Sequence, residues 1–149
     1  QAAGLLSADA ARLRRAVPVI RERAYTLREA QDMVEDELSG ILGDSAPVLD
    51  REVLAAKAPG AATEGHLEAF RSLLEPLEED LAAEEAKAAL MPYADGIPKE
   101  EGGRGAALWP LRYALSGRER SPDPFTLIHI LGKAESLSRI RTSIAILDL

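Results

Sequence analysis

The residue of this chain best placed to do chemistry is Arg112, an arginine set inside the apolar run Leu108-Trp109-Pro110-Leu111-Arg112-Tyr113-Ala114-Leu115. Pro110 removes one backbone hydrogen bond from that run, at about 3 kcal/mol in an ordinary helix interior. Local structure must compensate, and a kink that re-aims the next turn is the usual result. Gly117 then stops one helix and Asp123 starts another, which leaves Arg118, Glu119, Arg120, Ser121 and Pro122 in an exposed turn. A planar guanidinium, a serine hydroxyl, free backbone amides and proline faces suit unstacked RNA bases, which arginine meets face-on or by their edges. The plainer alternatives are a surface ion pair for Arg112, and for Asp123-Pro124, Gly117 and Gly132 an ordinary helix start and two ordinary stops.

Catalytic patterns are absent. The chain has no glycine-rich phosphate loop, no Gly-x-Ser-x-Gly elbow and no His-Glu-x-x-His helix. His66 and His129 stand alone and read as ordinary surface or core histidines. Glu78, Glu79, Asp80, Glu84 and Glu85 read as a solvated helix face, because consecutive acids on a helix diverge and calcium needs a loop that wraps it.

The elements that must position Arg112 are helices. Ala, Leu, Glu and Arg dominate the 149 residues and only 4% are aromatic, so helix is favoured over sheet. No apolar run is long enough to cross a bilayer, and the absence of cysteine excludes disulfides and thiolate metal sites. A cytoplasmic location with no membrane partner is expected. Since the chain begins at Gln1, a piece of a longer protein is expected as well. The net charge of −7 argues against a nucleic-acid partner only until its distribution is read. Residues 12–28 carry +5 and residues 104–142 carry +4, while residues 29–101 between them carry −14. Two basic segments can present a positive face locally, because screening in physiological salt reaches only about 8 Å.

Residues 5–25 read as helical, with Leu5, Leu6, Leu13 and Val17 apolar and Pro18 as a break or fresh start. Thr26-Leu27-Arg28-Glu29 is a capping box opening a helix to about Leu42, stopped by Gly43. A short helix at 51–57 precedes Ala58-Pro59-Gly60-Ala61, which divides the chain into lobes 1–58 and 59–149. Thr63 caps a helix ended by Pro76, Leu77 to Ala94 continue as helix, and 95–103 form a flexible connection. Helices then cover 105–116 and, from Asp123 as N-cap and Pro124 at the first position, the stretch to Gly132. A last helix spans Ala134 to Leu147, with Leu137, Ile140, Ile144 and Leu147 on one stripe. There is no internal repeat. The fold class is all-α, two small helical lobes forming one bundle.

Two stretches carry a family resemblance. Pro110-Leu111-Arg112-Tyr113-Ala114-Leu115-Ser116-Gly117 is followed by Ser121-Pro122-Asp123-Pro124-Phe125 and by Leu131-Gly132-Lys133-Ala134-Glu135. Earlier stands Pro18-Val19-Ile20-Arg21-Glu22-Arg23-Ala24-Tyr25-Thr26-Leu27-Arg28-Glu29. In this order they resemble the all-helical anticodon-binding region that ends bacterial glutamyl-tRNA synthetases.

The resemblance implies a partner, tRNA-Glu, with tRNA-Gln as a second one if the parent does not discriminate. Arg112, Ser121, Pro122 and Pro124 match positions that touch anticodon bases, and Arg23 is the candidate reader of the third anticodon letter, able to reject tRNA-Gln. Arg104, Arg118 and Arg120 fall to the tRNA backbone. Gly102-Gly103-Arg104 stands where the family often has a lysine, so Arg104 substitutes as the phosphate contact, and Pro124 stands where a leucine is common. Nothing matches the His-Ile-Gly-His or Lys-Met-Ser-Lys-Ser signatures. This chain is therefore expected to be non-catalytic and without a cofactor, joined to its own catalytic domain in a parent that uses ATP and magnesium. The competing reading is a helical protein-interaction module that docks through the acidic middle.

Overall fold

The computed structural model describes residues 2–42 and 46–149, with side chains from Ala10 onward. Gly43, the expected stop, and the side chains of Leu5 and Leu6 lie outside the described residues. Nine α-helices occur among the described residues and no strand does: α1 (Ala2–Arg23), α2 (Leu27–Glu35), α3 (Ser39–Leu42), α4 (Arg51–Leu54), α5 (Gly60–Leu74), α6 (Ala83–Asp95), α7 (Gly103–Ser116), α8 (Pro124–Leu131) and α9 (Lys133–Leu147). The protein is all-α, as its composition predicts.

Several boundaries differ from the sequence reading, each for a local reason. Helix α1 runs through Pro18 without a break. Pro18 is exposed, so the carbonyl that loses its partner one turn earlier can turn to water. The Thr26 box forms in part. Thr26 Oγ1 accepts from Glu29 N at 3.1 Å, but the Glu29 carboxylate accepts from Tyr25 N at 2.9 Å, one residue before the cap. The helix expected to reach Leu42 breaks at Asp36 and restarts as α3. There Leu38 N donates to Met33 O over a wide turn and Ser39 Oγ donates to Asp36 O.

Helix α5 starts at Gly60 after Pro59, so Thr63 is a buried member of its first turn whose hydroxyl donates to Ala58 O. The helix expected from Leu77 begins only at Ala83, where the Glu85 carboxylate accepts from Ala82 N. Residues 75–82 are turn because their acids serve other elements. Asp80 pairs with Arg15 at 2.6 Å, and Glu79 accepts from Ala134 N at 2.9 Å. That carboxylate satisfies the start of α9, whose own cap, Gly132, has no side chain to offer. The connection 95–103 contains a 3-10 turn at Lys99–Glu101.

One apolar core runs from Ala16 in α1 to Leu147 in α9 through Leu67, Phe70, Leu90, Leu111, Leu127 and Ile140. Helix α5 packs on α7 and α9, α6 on α8, and α1 on α8, while α3 and α4 lie against α7. Helix α4 is pinned to α7 by two polar contacts: Trp109 Nε1 donates to Val53 O at 2.7 Å, and Asp50 N donates to the Tyr113 hydroxyl at 2.9 Å. On α9 the expected stripe is buried at Leu137, Ile140 and Leu147.

The closest packing is at Gly40, where an added Cβ would run into the Ser116 carbonyl oxygen. Backbone cannot yield as a side-chain tip can. Gly40→Ala should therefore lower the unfolding free energy by about 1–3 kcal/mol or more. Gly65→Ala in α5, where a Cβ meets nothing within 4 Å, should raise it by about 0.5–1 kcal/mol. Denaturant midpoints at constant slope would check both.

His66 is buried against Tyr93, Nδ1 lying 2.7 Å from the phenol oxygen. Burial pushes its pKa below the ordinary 6.5, and the Glu101 charge opposes this only in part. The unfolded chain then takes up the proton first. Stability is complete above about pH 6.5 and falls as pH drops through the lowered folded value. Unfolding midpoints between about pH 7.5 and about pH 5 should show that decline, and His66→Gln should flatten it.

Candidate nucleic-acid interface

Helix α7 ends at Gly117, whose φ of +69 lets the chain reverse while its N–H donates to Tyr113 O at 2.8 Å. A Cβ there would strike Pro47, so glycine is required on both counts. The reversed chain folds back along α7 and is held there by Arg112. Its guanidinium donates to Ser121 Oγ at 3.2 Å, to Ser121 O at 3.5 Å and to Glu119 O at 3.0 Å. Arg112 is thus bound by carbonyls and a hydroxyl rather than by the neighbouring acid of the plainer reading. Burial pushes its pKa down and the Glu37 charge pushes it back. Ser116 Oγ accepts from Arg118 N, and Asp123 caps α8 by accepting from Thr126 N at 3.0 Å and Thr126 Oγ1 at 2.7 Å.

Two concavities flank this turn, and Arg112 and Ser121 line both. One, of about 490 Å³, is completed by Arg23, Glu37, Glu119 and Arg120. The other, of about 580 Å³, is bordered by Lys57, Gly105, Trp109 and Pro124. The fold therefore brings Arg23, Arg112, Arg120 and Ser121 together from segments almost a hundred residues apart. Arg23 is tethered to Glu37 at 3.6 Å. Pro124 is buried at the lip of the larger cleft, and Pro122 is buried within the turn with its carbonyl accepting from Ser121 Oγ at 2.9 Å.

Two predicted backbone contacts are engaged elsewhere. The Arg118 guanidinium donates to Ser39 Oγ at 3.0 and 2.8 Å, tying the turn to α3. Arg104 pairs with Asp95 at 2.8 Å and lines neither concavity. Among the described residues no group of His, Asp and Glu is arranged to hold a metal ion, and no helix is long and apolar enough to cross a membrane.

Sequence reasoning missed four residues. Trp109 and Lys57 line the larger cleft, and Glu37 sits among the arginines of the smaller one. The signal for Trp109 was present, since it is the sole tryptophan and directly precedes Pro110. The fourth, Arg139, is only 2% exposed behind the turn. It donates to Gly40 O at 2.8 Å, to Leu115 O at 2.7 Å and to Glu135 at 2.9 Å. Burial lowers its pKa and Glu135 counters that. Both carbonyls are met by one nitrogen, Nη1, while Nε binds Glu135, and a lysine's single ammonium cannot take both positions. Arg139→Lys should lower the unfolding free energy by about 1–3 kcal/mol, measured by denaturant titration, because one ammonium cannot hold the two carbonyls and the Glu135 carboxylate from the separate positions of Nη1 and Nε.

Comparison with known proteins agrees with this geometry. The family model described as an anticodon binding domain matches residues 2–144. A glutamate–tRNA ligase of Bradyrhizobium sp. (strain ORS 278) is 35% identical over 140 residues, covering 93% of this chain and 27% of that protein. Glutamate–tRNA ligase 2 of Chelativorans sp. (strain BNC1) is 34% identical over 135 residues, 87% of this chain and 25% of its own length. The glutamate–tRNA ligase of Acidothermus cellulolyticus is 33% identical over 145 residues, 91% of this chain and 26% of its own. The chain spans about a quarter of the length of these curated relatives, and no solved structure matches it. A family match over nearly the whole chain and relatives about a third identical lead to one assignment: the chain belongs to the anticodon-binding domain family, in the form found in glutamate–tRNA ligases.

Proposed function

We propose that this domain reads the anticodon of tRNA-Glu for a glutamate–tRNA ligase whose catalytic part, using ATP and magnesium, lies outside these 149 residues. The observation that carries the reading is the concavity shared by Arg23, Arg112, Arg120 and Ser121, with Arg112 locked in place by three hydrogen bonds. A guanidinium already immobilised loses little entropy when it meets a base edge, and unstacked anticodon bases expose such edges. Residues 1–58 supply Arg23, the candidate discriminator against tRNA-Gln, and residues 59–149 supply Arg112, Ser121 and Pro124, while Pro122, expected exposed but buried, shapes the turn from within. Arg120 is the best placed of the proposed backbone contacts, since Arg118 and Arg104 already hold Ser39 and Asp95. The cytoplasm, where tRNA is charged, is the location that goes with this reading. The rival reading, protein docking through the acidic middle, is weakened because Asp80 and Glu79 bind Arg15 and the start of α9.

Binding to transcripts of tRNA-Glu, tRNA-Gln and an unrelated tRNA should be saturable, weaken with salt and favour tRNA-Glu until its anticodon is exchanged. Arg112→Ala should cost about 1–3 kcal/mol on tRNA-Glu and less on the unrelated tRNA. Equal losses on both would remove Arg112 from base reading, and binding indifferent to the anticodon would remove the function.

A further inference from the structure

The larger cleft is lined by the chain's sole tryptophan, which both pins α4 to α7 and presents part of its ring to the cleft. Trp109 is half-buried, and its indole N–H is fixed to Val53 O at 2.7 Å, so the ring cannot turn. Two cations attend the ring: Lys57 Nζ lies 5.1 Å from its centroid and the Arg112 guanidinium carbon 5.3 Å. Around it the cleft of about 580 Å³ is lined by residues that leave space, Gly102, Gly105 and Ala106, and by the apolar Leu108 and Pro124. A Cβ added at Gly105 would meet nothing within 4 Å. The volume falls in the range of about 300–1,000 Å³ typical of small-ligand clefts.

We infer that Trp109 is a stacking platform for one unpaired RNA base, with Lys57 placed to meet that nucleotide's phosphate. The inference rests on the RNA-binding reading and adds to it a subsite on the other side of Arg112 from Arg23. An aromatic face accepts any base, so this subsite contributes affinity with little sequence preference. Its cations favour a polyanion over an apolar protein segment, and its floor of small residues admits a flat ring. The Lys57 ammonium is exposed, on a turn after α4, and free to move from the ring to a phosphate. Arg112 joins the two concavities, so one guanidinium can touch consecutive nucleotides, one by its edge and one across its plane.

The single tryptophan makes the test local. The unmodified domain would be titrated with the anticodon stem-loop RNA of tRNA-Glu, following tryptophan emission, its quenching by acrylamide and the anisotropy of end-labelled RNA. Emission should change with the same midpoint as anisotropy, and acrylamide access should fall on binding. Trp109→Ala should weaken binding about tenfold, Trp109→Phe should recover most of it, and both should reduce all tRNAs alike. Anisotropy showing binding while emission and acrylamide access stay unchanged would overturn the platform and leave RNA binding standing. Absence of any anisotropy change with the unmodified domain would overturn both.

Discussion

Arg139 is a guanidinium placed where α3, the end of α7 and α9 meet, and it supplies donors to carbonyls that would otherwise be buried without them. Helix α7 ends at Ser116, and its last turn leaves carbonyls that no amide of the same helix can reach. Leu115 O is one of them and Gly40 O, in the short helix α3, is another orphan of the same kind. One nitrogen of that guanidinium, Nη1, serves both. It thereby fixes α3 against α7 at a distance that only a glycine at position 40 permits. Arg118 also reaches Ser39 in the same helix, so the turn after α7 is held to α3 by backbone packing, a buried arginine and a surface arginine. The geometry at Arg112 follows from this, since the turn it grips begins one residue after Ser116.

Charge is used in the same local manner. Part of the acidic excess of the middle segment is tied into the fold. Asp80 neutralises Arg15, Glu79 completes α9, and Glu68 and Glu75 flank Arg71. Arg15 and Arg12, which inflate the basic count of α1, face inward to α3, α8 and α9: Arg12 lies near Ile41 O and Glu135, Arg15 near Ile130 O. A segment's net charge is therefore a poor guide to the potential an RNA meets. The potential that matters arises at a concavity where few formal charges converge, and salt screens the rest within about 8 Å.

Local signals were legible and tertiary ones were not. Gly117 as a stop, Asp123-Pro124 as a start and Gly132 as the next stop each depend on the conformational freedom of one or two residues, and the structure keeps all three. The stripe on α9 depends on periodicity alone and was equally readable. By contrast, Glu79 leaves a helix to cap another one 55 residues away, which no pattern around Glu79 announces. Arg139 looked like one more surface arginine, because a buried charge is recognisable only once its partners at Gly40 and Leu115 are in place. The turn beside the two concavities was legible through its motif, Pro110 to Gly117 with Ser121. Glu37 and Lys57 were hidden because nothing in their own neighbourhoods marks them, and the fold alone carries them to Arg112.

Glu37 shows why the arginines can converge at all. Three guanidiniums around one concavity repel one another, and burial adds a further cost at Arg112. A carboxylate 3.6 Å from Arg23, whose field also counters in part the burial that lowers the Arg112 pKa, eases both costs with one charge. It also restrains the appetite of the site for any phosphate, since an anion drawn to Arg23 must first contend with Glu37. Basic surfaces bind RNA indiscriminately when nothing opposes them, and an opposing charge inside the basic cluster makes correct hydrogen-bond geometry, rather than charge alone, the condition for binding. The acidic residue is therefore as much a part of the concavity as the arginines it separates.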